Sequence, residues 1–171
     1  VFFESVNFAV LRNLPILYIL ENNGYAIHSK VGERHKQTQL WRIGESLGLS
    51  GRRHDGDDVE QVYETALKAA TQGRAGGAPL LLEFATCRRY EHVGPRTDFQ
   101  EAYHEKGDEA KAKAQDPIAR AEKALLTRGW ADADAVARWR GQAAEEVEAA
   151  VRFAETSPFP SAARLYEDQF A

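Results

Sequence analysis

The sequence predicts an α/β fold in which a mostly parallel sheet carries helices on both faces and C-terminal helices follow it. Three observations predict it. Residues 14–25, LPILYILENNGY, and residues 80–85, LLLEFA, are short apolar runs that open directly onto polar loops, as strands of a buried parallel sheet do. Segments with helical apolar spacing precede each of them. Beyond residue 115 the patterns are helical only, so the chain divides into an α/β part, 1–115, and a helical arm with a tail, 116–171.

Composition narrows the function classes. The chain has 171 residues, 43% of them hydrophobic, which is enough to bury a core of ordinary size. Its net charge of −4 argues against broad binding to nucleic acid or anionic membranes. No apolar run approaches the roughly 20 residues that a membrane helix needs. The single Cys87 excludes an intrachain disulfide and fits a reducing, cytoplasmic compartment. There is no Met, and Val1 stands in mid-pattern, so the expectation is the later part of a longer gene product.

In the first helix, residues 1–13, Phe2, Phe3, Val6, Val10 and Leu14 share one face, and Pro15 stops it. A helix leading into a strand is half of a βαβ unit, and the turn before that helix is where such folds usually hold phosphate. The strand in residues 14–25 then delivers Glu21, Asn22, Asn23, Gly24 and Tyr25 to its C-terminal end, where open α/β sheets place ligands. Amide oxygens and turn carbonyls suit a hard cation such as Mg²⁺ bridging phosphates, and Gly24 permits a sharp turn. A plain strand-to-loop turn is the other reading.

From Tyr25 to Gln37 the chain is polar and irregular, with Lys30, Arg34, His35 and Lys36 forming either a solvated face or a loop over an anionic ligand. Leu40, Ile43 and Leu47 predict a helix over 38–47, stopped by Gly48, and a short strand reaches His54. Asp55, Gly56, Asp57 and Asp58 form an acidic turn in which Asp57 or Asp58 caps a helix over 59–72. Its inward face is predicted as Val59, Val62, Tyr63, Ala66 and Ala70. A Ca²⁺ reading of the three carboxylates lacks the EF-hand spacing and closing Glu. Gly73, Gly76 and Gly77 end the helix before the strand at 80–85.

That strand opens onto residues 86–96, TCRRYEHVGPR, which in a parallel sheet reach the same edge as Asn23. His92 suits proton transfer, and Arg88, Arg89 or Arg96 suit anion binding. An RNA-binding reading of these arginines and Tyr90 has no stacking sheet to support it. Residues 99–115 read as a linker or weak helix. Asp116 and Pro117 start a helix to Leu126, ended by Gly129. Asp132 or Asp134 starts another to Glu155, striped with Val136, Trp139, Ala143, Val147, Ala150 and Val151, and stopped by Pro158 and Pro160. Leu165, Tyr166 and Phe170 in the tail are expected to anchor against a neighbour, as helical arms often serve assembly.

Several stretches in the same order resemble one family: FFESVNFAVLRNLPILYILENNGYAI, HDGDDVEQVYETALKAA, GGAPLLLEFATCRRYEH, DPIARAEKALLTRGW and LYEDQFA. Together they are similar to the alpha subunit of thiamine diphosphate-dependent 2-oxo acid dehydrogenases, in a divergent bacterial-type branch. The resemblance implies the diphosphate-binding half of the thiamine diphosphate fold. It implies that Mg²⁺ is held by Asn23, by the main-chain carbonyl of Tyr25 and by an aspartate of a Gly-Asp-Gly turn. This sequence has no such turn, and by resemblance the motif lies before Val1, so an upstream piece is expected to supply it. Ile27, His28 and Arg88 are implied at the cofactor, with His28 contacting phosphate or packing. His92 matches the family's loop histidine and is implied to be a proton donor or acceptor.

The same resemblance implies a beta-type subunit carrying the pyrimidine-binding half, a hetero-oligomer, and a lipoyl acyltransferase as acceptor of the acyl or enamine fragment. Val93 stands where the family has a phosphorylatable serine, so kinase regulation is not expected there. Two other readings remain: a carboligase that joins the fragment to an aldehyde, and a non-catalytic subunit with an incomplete site.

Overall fold

The computed structural model describes residues 1–97, 99, 101 and 103–167. Contacts divide the chain into two compact units, Val1–Lys123 and Ala124–Ala171. The first contains the α/β layer. Three parallel strands, β1 (Leu17–Asn22), β4 (Ser50–Asp55) and β5 (Leu80–Ala85), lie in the order β1-β5-β4. The register pairs Leu17 with Leu80 and Asn22 with Ala85 on one side, and Ser50 with Leu80 and Asp55 with Ala85 on the other. All three strands therefore end at one level.

Alternation along β5 divides the core. Leu81 packs with Val6 of α1 (Phe2–Leu11) and with Leu49, joined by Val10, Tyr18, Leu20, Trp41 and Leu47. Leu82 and Phe84 point to the other face, against Ala69 of α3 (Val59–Arg74), with Val62, Leu17 and Leu80 around them. α1 ends where Asn13 enters the left-handed region (φ 50°), which Asn tolerates better than most residues, just before Pro15.

Three local readings change. Residues Leu40–Leu47 form a 3₁₀ helix, closed by Gly48 at φ 84°. Its first turn is seated on the sheet, where Trp41 N–H donates to Glu83 at 2.8 Å. Residues 25–34 are ordered as a small hairpin, β2 (Tyr25–Ala26) and β3 (Ser29–Lys30), followed by one turn of helix, α2 (Val31–Arg34). On α3, Val59 and Tyr63 are exposed, and the inward stripe runs through half-buried Val62, Ala66 and Ala70 to buried Ala69. The stripe is rotated because Leu82 and Phe84 meet the helix at Ala69 rather than at its first turn. Asp58 is the cap of α3, accepting from Glu60 and Gln61 N–H at 3.1 Å each.

The stretch read as a linker or weak helix contains α4 (Asp108–Ala114), and Asp116 caps α5 (Pro117–Thr127) through Ile118 N–H at 2.8 Å. In the second unit, Asp132 caps the long α6 (Ala133–Thr156), accepting from Ala135 N–H at 2.7 Å. Trp139, Val147 and Val151 on its stripe are exposed, as are Leu165 and Tyr166 in the following 3₁₀ turn. Phe170 lies outside the described residues. Among the described residues no helix is long and apolar enough to cross a membrane.

Candidate functional site

The parallel strands deliver their ends to a cavity of about 430 Å³. Asn22, Asn23, Gly24 and Tyr25 enter it from β1, Arg53 from β4, and Thr86, Cys87 and Arg88 from β5. Two side-chain turns shape the β1 end. Asn22 Oδ1 accepts from Gly24 N–H and Asn23 Oδ1 from Tyr25 N–H, both at 2.9 Å, with Gly24 at φ 82°. Thr86 N–H donates to Asn22 O at 3.0 Å, which ties the two strand ends together.

The hairpin and α4 form the remaining walls. Ile27, at φ 56°, occupies a conformation that β-branched residues avoid, and such strain persists only where the surroundings enforce it. Here Arg88 Nη2 donates to Ile27 O at 2.8 Å and to Tyr103 Oη at 3.1 Å. His28 stacks on Tyr103 with ring centroids 4.7 Å apart. Lys30 pairs with Glu105 at 2.5 Å, and Lys111 lines the cavity from α4. Asp108 accepts from Glu105 N–H at 2.9 Å, and His104 Nδ1 lies 3.2 Å from it.

These contacts set the local charges. The Glu105 N–H bond first, then His104 and Lys30, hold the Asp108 carboxyl below the usual range against its partial burial. Burial and the charge of Asp108 push the Tyr25 phenol up. Burial, together with the nearby Asp57, raises the Cys87 thiol, so Cys87 presents a neutral thiol rather than a nucleophile. The cavity is lined by the cations of Lys30, Arg53, Arg88 and Lys111, of which Lys30 and Arg53 are paired to Glu105 and Glu83, by the carboxylates of Glu105 and Asp108, and by neutral oxygens from Asn23 and Tyr25. That chemistry fits a polyphosphate with a hard cation. Among the described residues no group of three or more His, Cys, Asp or Glu gathers to hold a metal. A cation held at Asn23 and Tyr25 would need its remaining oxygens from an anionic ligand, water or another segment.

The structure gathers Asn23, Tyr25 and Arg88 around one cavity and sets Ile27 and His28 in the adjoining hairpin turn. His92 does not line it. That histidine is exposed in a bend closed by Glu91 N–H to Arg96 O at 2.8 Å and by an Arg96–Glu91 ion pair at 3.0 Å. Arg89 pairs with Asp116 and donates to Ala112 O at 3.0 Å. Of the three candidate anion-binding arginines, Arg88 alone lines the cavity, because carboxylates of this chain engage the other two. Sequence reasoning missed His104, Asp108 and Lys111. Gly107 directly before the acidic Asp108 and Glu109, a start signal for the helix that carries Lys111, was the available signal; His104 lies in the bend before it.

The acidic turn is structural. Asp58 caps α3 and, with Asp55, receives Arg120 at 2.9 Å each. Asp57 is buried, and that burial raises its carboxyl above the usual range even though it accepts a bond from the Cys87 backbone.

The dehydrogenase E1 component family model matches residues 1–163. The chain is 35% identical over 170 residues to the chloroplastic pyruvate dehydrogenase E1 component subunit alpha-3 of Arabidopsis thaliana, covering 99% of this chain and 39% of that protein. It is 32% identical over 168 residues to the pyruvate dehydrogenase E1 component subunit alpha of Rickettsia felis, covering 98% and 51%. To the same subunit of Rhizobium meliloti it is 33% identical over 167 residues, covering 97% and 47%. The chain spans about half the length, or less, of these curated relatives. With a polar strand end at the edge of a parallel sheet and a family match along nearly all of its length, this chain belongs to the dehydrogenase E1 component family, in company with its alpha subunits.

Proposed function

We propose that the chain is the diphosphate-binding part of an alpha-type subunit in a thiamine diphosphate- and Mg²⁺-dependent enzyme. That enzyme decarboxylates a 2-oxo acid and passes the acyl fragment to an acceptor such as a lipoyl group. The observation that carries this reading is the meeting of Asn23, Tyr25, Lys30, Arg88 and Lys111 at the C-terminal edge of a parallel sheet.

In this reading Asn23 Oδ1 and the Tyr25 carbonyl hold the cation, while Lys30, Lys111 and Arg88 balance the charge of the diphosphate. Ile27 and His28 bound the hairpin side of the cofactor. Thiamine diphosphate, when bound, supplies the nucleophilic carbon and electron sink that a 2-oxo acid needs to lose CO₂. His92 transfers a proton through its ring nitrogens, and its exposure requires ligand or partner to come to the loop. The proposal includes a beta-type partner carrying the pyrimidine-binding half, a segment with the Gly-Asp-Gly turn, a hetero-oligomeric assembly and a cytoplasmic location.

The test is calorimetric titration of Mg²⁺ and thiamine diphosphate into the complex assembled with its beta-type partner. Asn23→Ala is expected to weaken Mg²⁺-dependent cofactor binding by more than about tenfold, while circular dichroism is unchanged. Equal affinity in a folded variant would sink the assignment of the site.

A further inference from the structure

Glu83 is the most improbable residue of the core. It stands in the middle of β5, fully buried at 0% exposure, on the sheet face shared with Leu81. A leucine would suit that face, and a buried carboxylate carries a desolvation cost unless several donors meet it. Three do. Asn22 Nδ2 donates to Oε1 at 2.8 Å, Trp41 N–H donates to Oε2 at 2.8 Å, and Arg53 Nε lies 3.6 Å from Oε1. Arg53 is the direct register partner of Glu83 on β4, and Asn22 lies two residues beyond its partner Leu20 on β1, on the same face.

The chemistry of the Asn22 contact has a direction. A carboxylate only accepts, so it selects the NH₂ end of the Asn22 amide and turns the oxygen end toward the chain ahead. There Asn22 Oδ1 accepts from Gly24 N–H at 2.9 Å, closing the turn in which Gly24 adopts φ 82°. Were the amide reversed, two donors would face each other at Gly24 and the turn would open. Asn23 and Tyr25 sit on either side of Gly24, so their oxygens inherit this geometry.

We propose that Glu83 is a positioning residue: from inside the core it orients the Asn22 amide, which through the Gly24 turn sets the Asn23 side chain and Tyr25 carbonyl as cation ligands. This rests on the functional reading above, in which those two oxygens hold Mg²⁺.

The experiment compares the unsubstituted complex with Asn23→Ala, Glu83→Gln and the double variant Glu83→Gln/Asn22→Asp, each assembled with the beta-type partner. The glutamine of Glu83→Gln can satisfy Trp41 N–H with its oxygen, but it then presents a donor to the Asn22 NH₂ group. The double variant reverses that bond. One oxygen of the carboxylate introduced by Asn22→Asp accepts from the new glutamine amide, while the other accepts from Gly24 N–H. Two readouts are taken: Mg²⁺ affinity by calorimetry in the presence of thiamine diphosphate, and amide hydrogen exchange over residues 22–26 without ligand.

Glu83→Gln is expected to lower Mg²⁺ affinity by about 10- to 100-fold and speed exchange over 22–26, and the double variant to restore both. A folded Glu83→Gln complex with unchanged affinity and exchange would overturn the proposal. So would failure of the double variant to recover binding, which remains decisive if Glu83→Gln alone does not fold. If the unsubstituted complex takes up no Mg²⁺, or Asn23→Ala binds it equally, the functional reading itself falls and the role of Glu83 with it. If both controls behave and Glu83→Gln does not, only the positioning role is lost.

Discussion

Replacing Gly56 with alanine tests the junction on which the cavity edge depends. Gly56 follows β4 and donates its N–H to Ala85 O at 2.7 Å, extending the β4–β5 ladder by one rung. A Cβ there would lie 2.7 Å from Thr86 Cγ2, 2.8 Å from Ala85 O and 3.0 Å from Phe84 Cβ. Ordinary contact begins near 3.4 Å, so the backbone of the central strand must yield by more than half an ångström. Thr86 Cγ2 can rotate away, but Ala85 O cannot, because the same hydrogen bond holds it in place. Overpacking of this kind costs about 1–3 kcal/mol. For a chain of this length, that lowers Tm by roughly 2–4 °C per kcal/mol.

Differential scanning calorimetry of Gly56→Ala beside Gly76→Ala reads the effect. Gly76 has φ 84° with nothing within 4 Å of a built Cβ, so its substitution carries left-handed strain of about 1–2 kcal/mol and no collision. The refuting result is a Gly56→Ala protein within about 0.5 kcal/mol of the unsubstituted one, the range of inconsequential surface changes. A collision would also move Thr86, whose N–H holds Asn22 O, so cofactor affinity is expected to fall with stability in Gly56→Ala and to hold in Gly76→Ala.

Leu49 is 1% exposed between α1 and the sheet, so Leu49→Ala is expected to cost about 2–5 kcal/mol in denaturant unfolding; a loss below about 1 kcal/mol would mean that this cluster is not a packed core. Asp57→Asn is expected to stabilise the protein at neutral pH. Burial first, and then the charge of Asp55, raise the folded-state Asp57 carboxyl, against the Cys87 backbone bond, Arg120 and Arg89. The folded state therefore binds this proton more tightly than the unfolded chain. Stability declines as pH rises from the unfolded Asp value through the raised folded one. Below the ordinary Asp value of about 3.9 both states are protonated, so the gain of the Asn variant should vanish there; a gain in Tm independent of pH between about 3 and 7 would contradict this account.

Much of the fold was legible because its causes are local. The apolar runs of β1 and β5, the cap at Asp58 and the Asn-Asn-Gly turn each act over a few residues. Hydrophobic period and turn chemistry therefore located the strand ends, and the parallel register carried them to one edge. The family resemblance singled out Asn23 and Tyr25 within the polar strand end, and the composition of the loop after β5 offered Arg88 as one candidate. Composition could not separate Arg88 from Arg89 and Arg96, because what distinguishes them is the presence of Asp116 and Glu91 beside the other two.

Tertiary structure decided the rest. Tyr25 meets Asp108 across 83 residues and Lys30 meets Glu105 across 75, so the wall formed by the segment before α4 arises from chain packing and leaves no periodic trace. The inward face of α3 depended on where β5 presents Leu82 and Phe84. A lone Glu in LLLEFA gives no sign of its role until Asn22, Trp41 and Arg53 converge on it. The sequence by itself determined the strands of the sheet, the helices between them and which chemical groups reach the edge, since those follow from spacing and capping. Which of those groups face the cavity, which are paired away from it, and what holds the Asn22–Tyr25 turn in shape depended on the packing of distant segments, where a buried charge must find its donors.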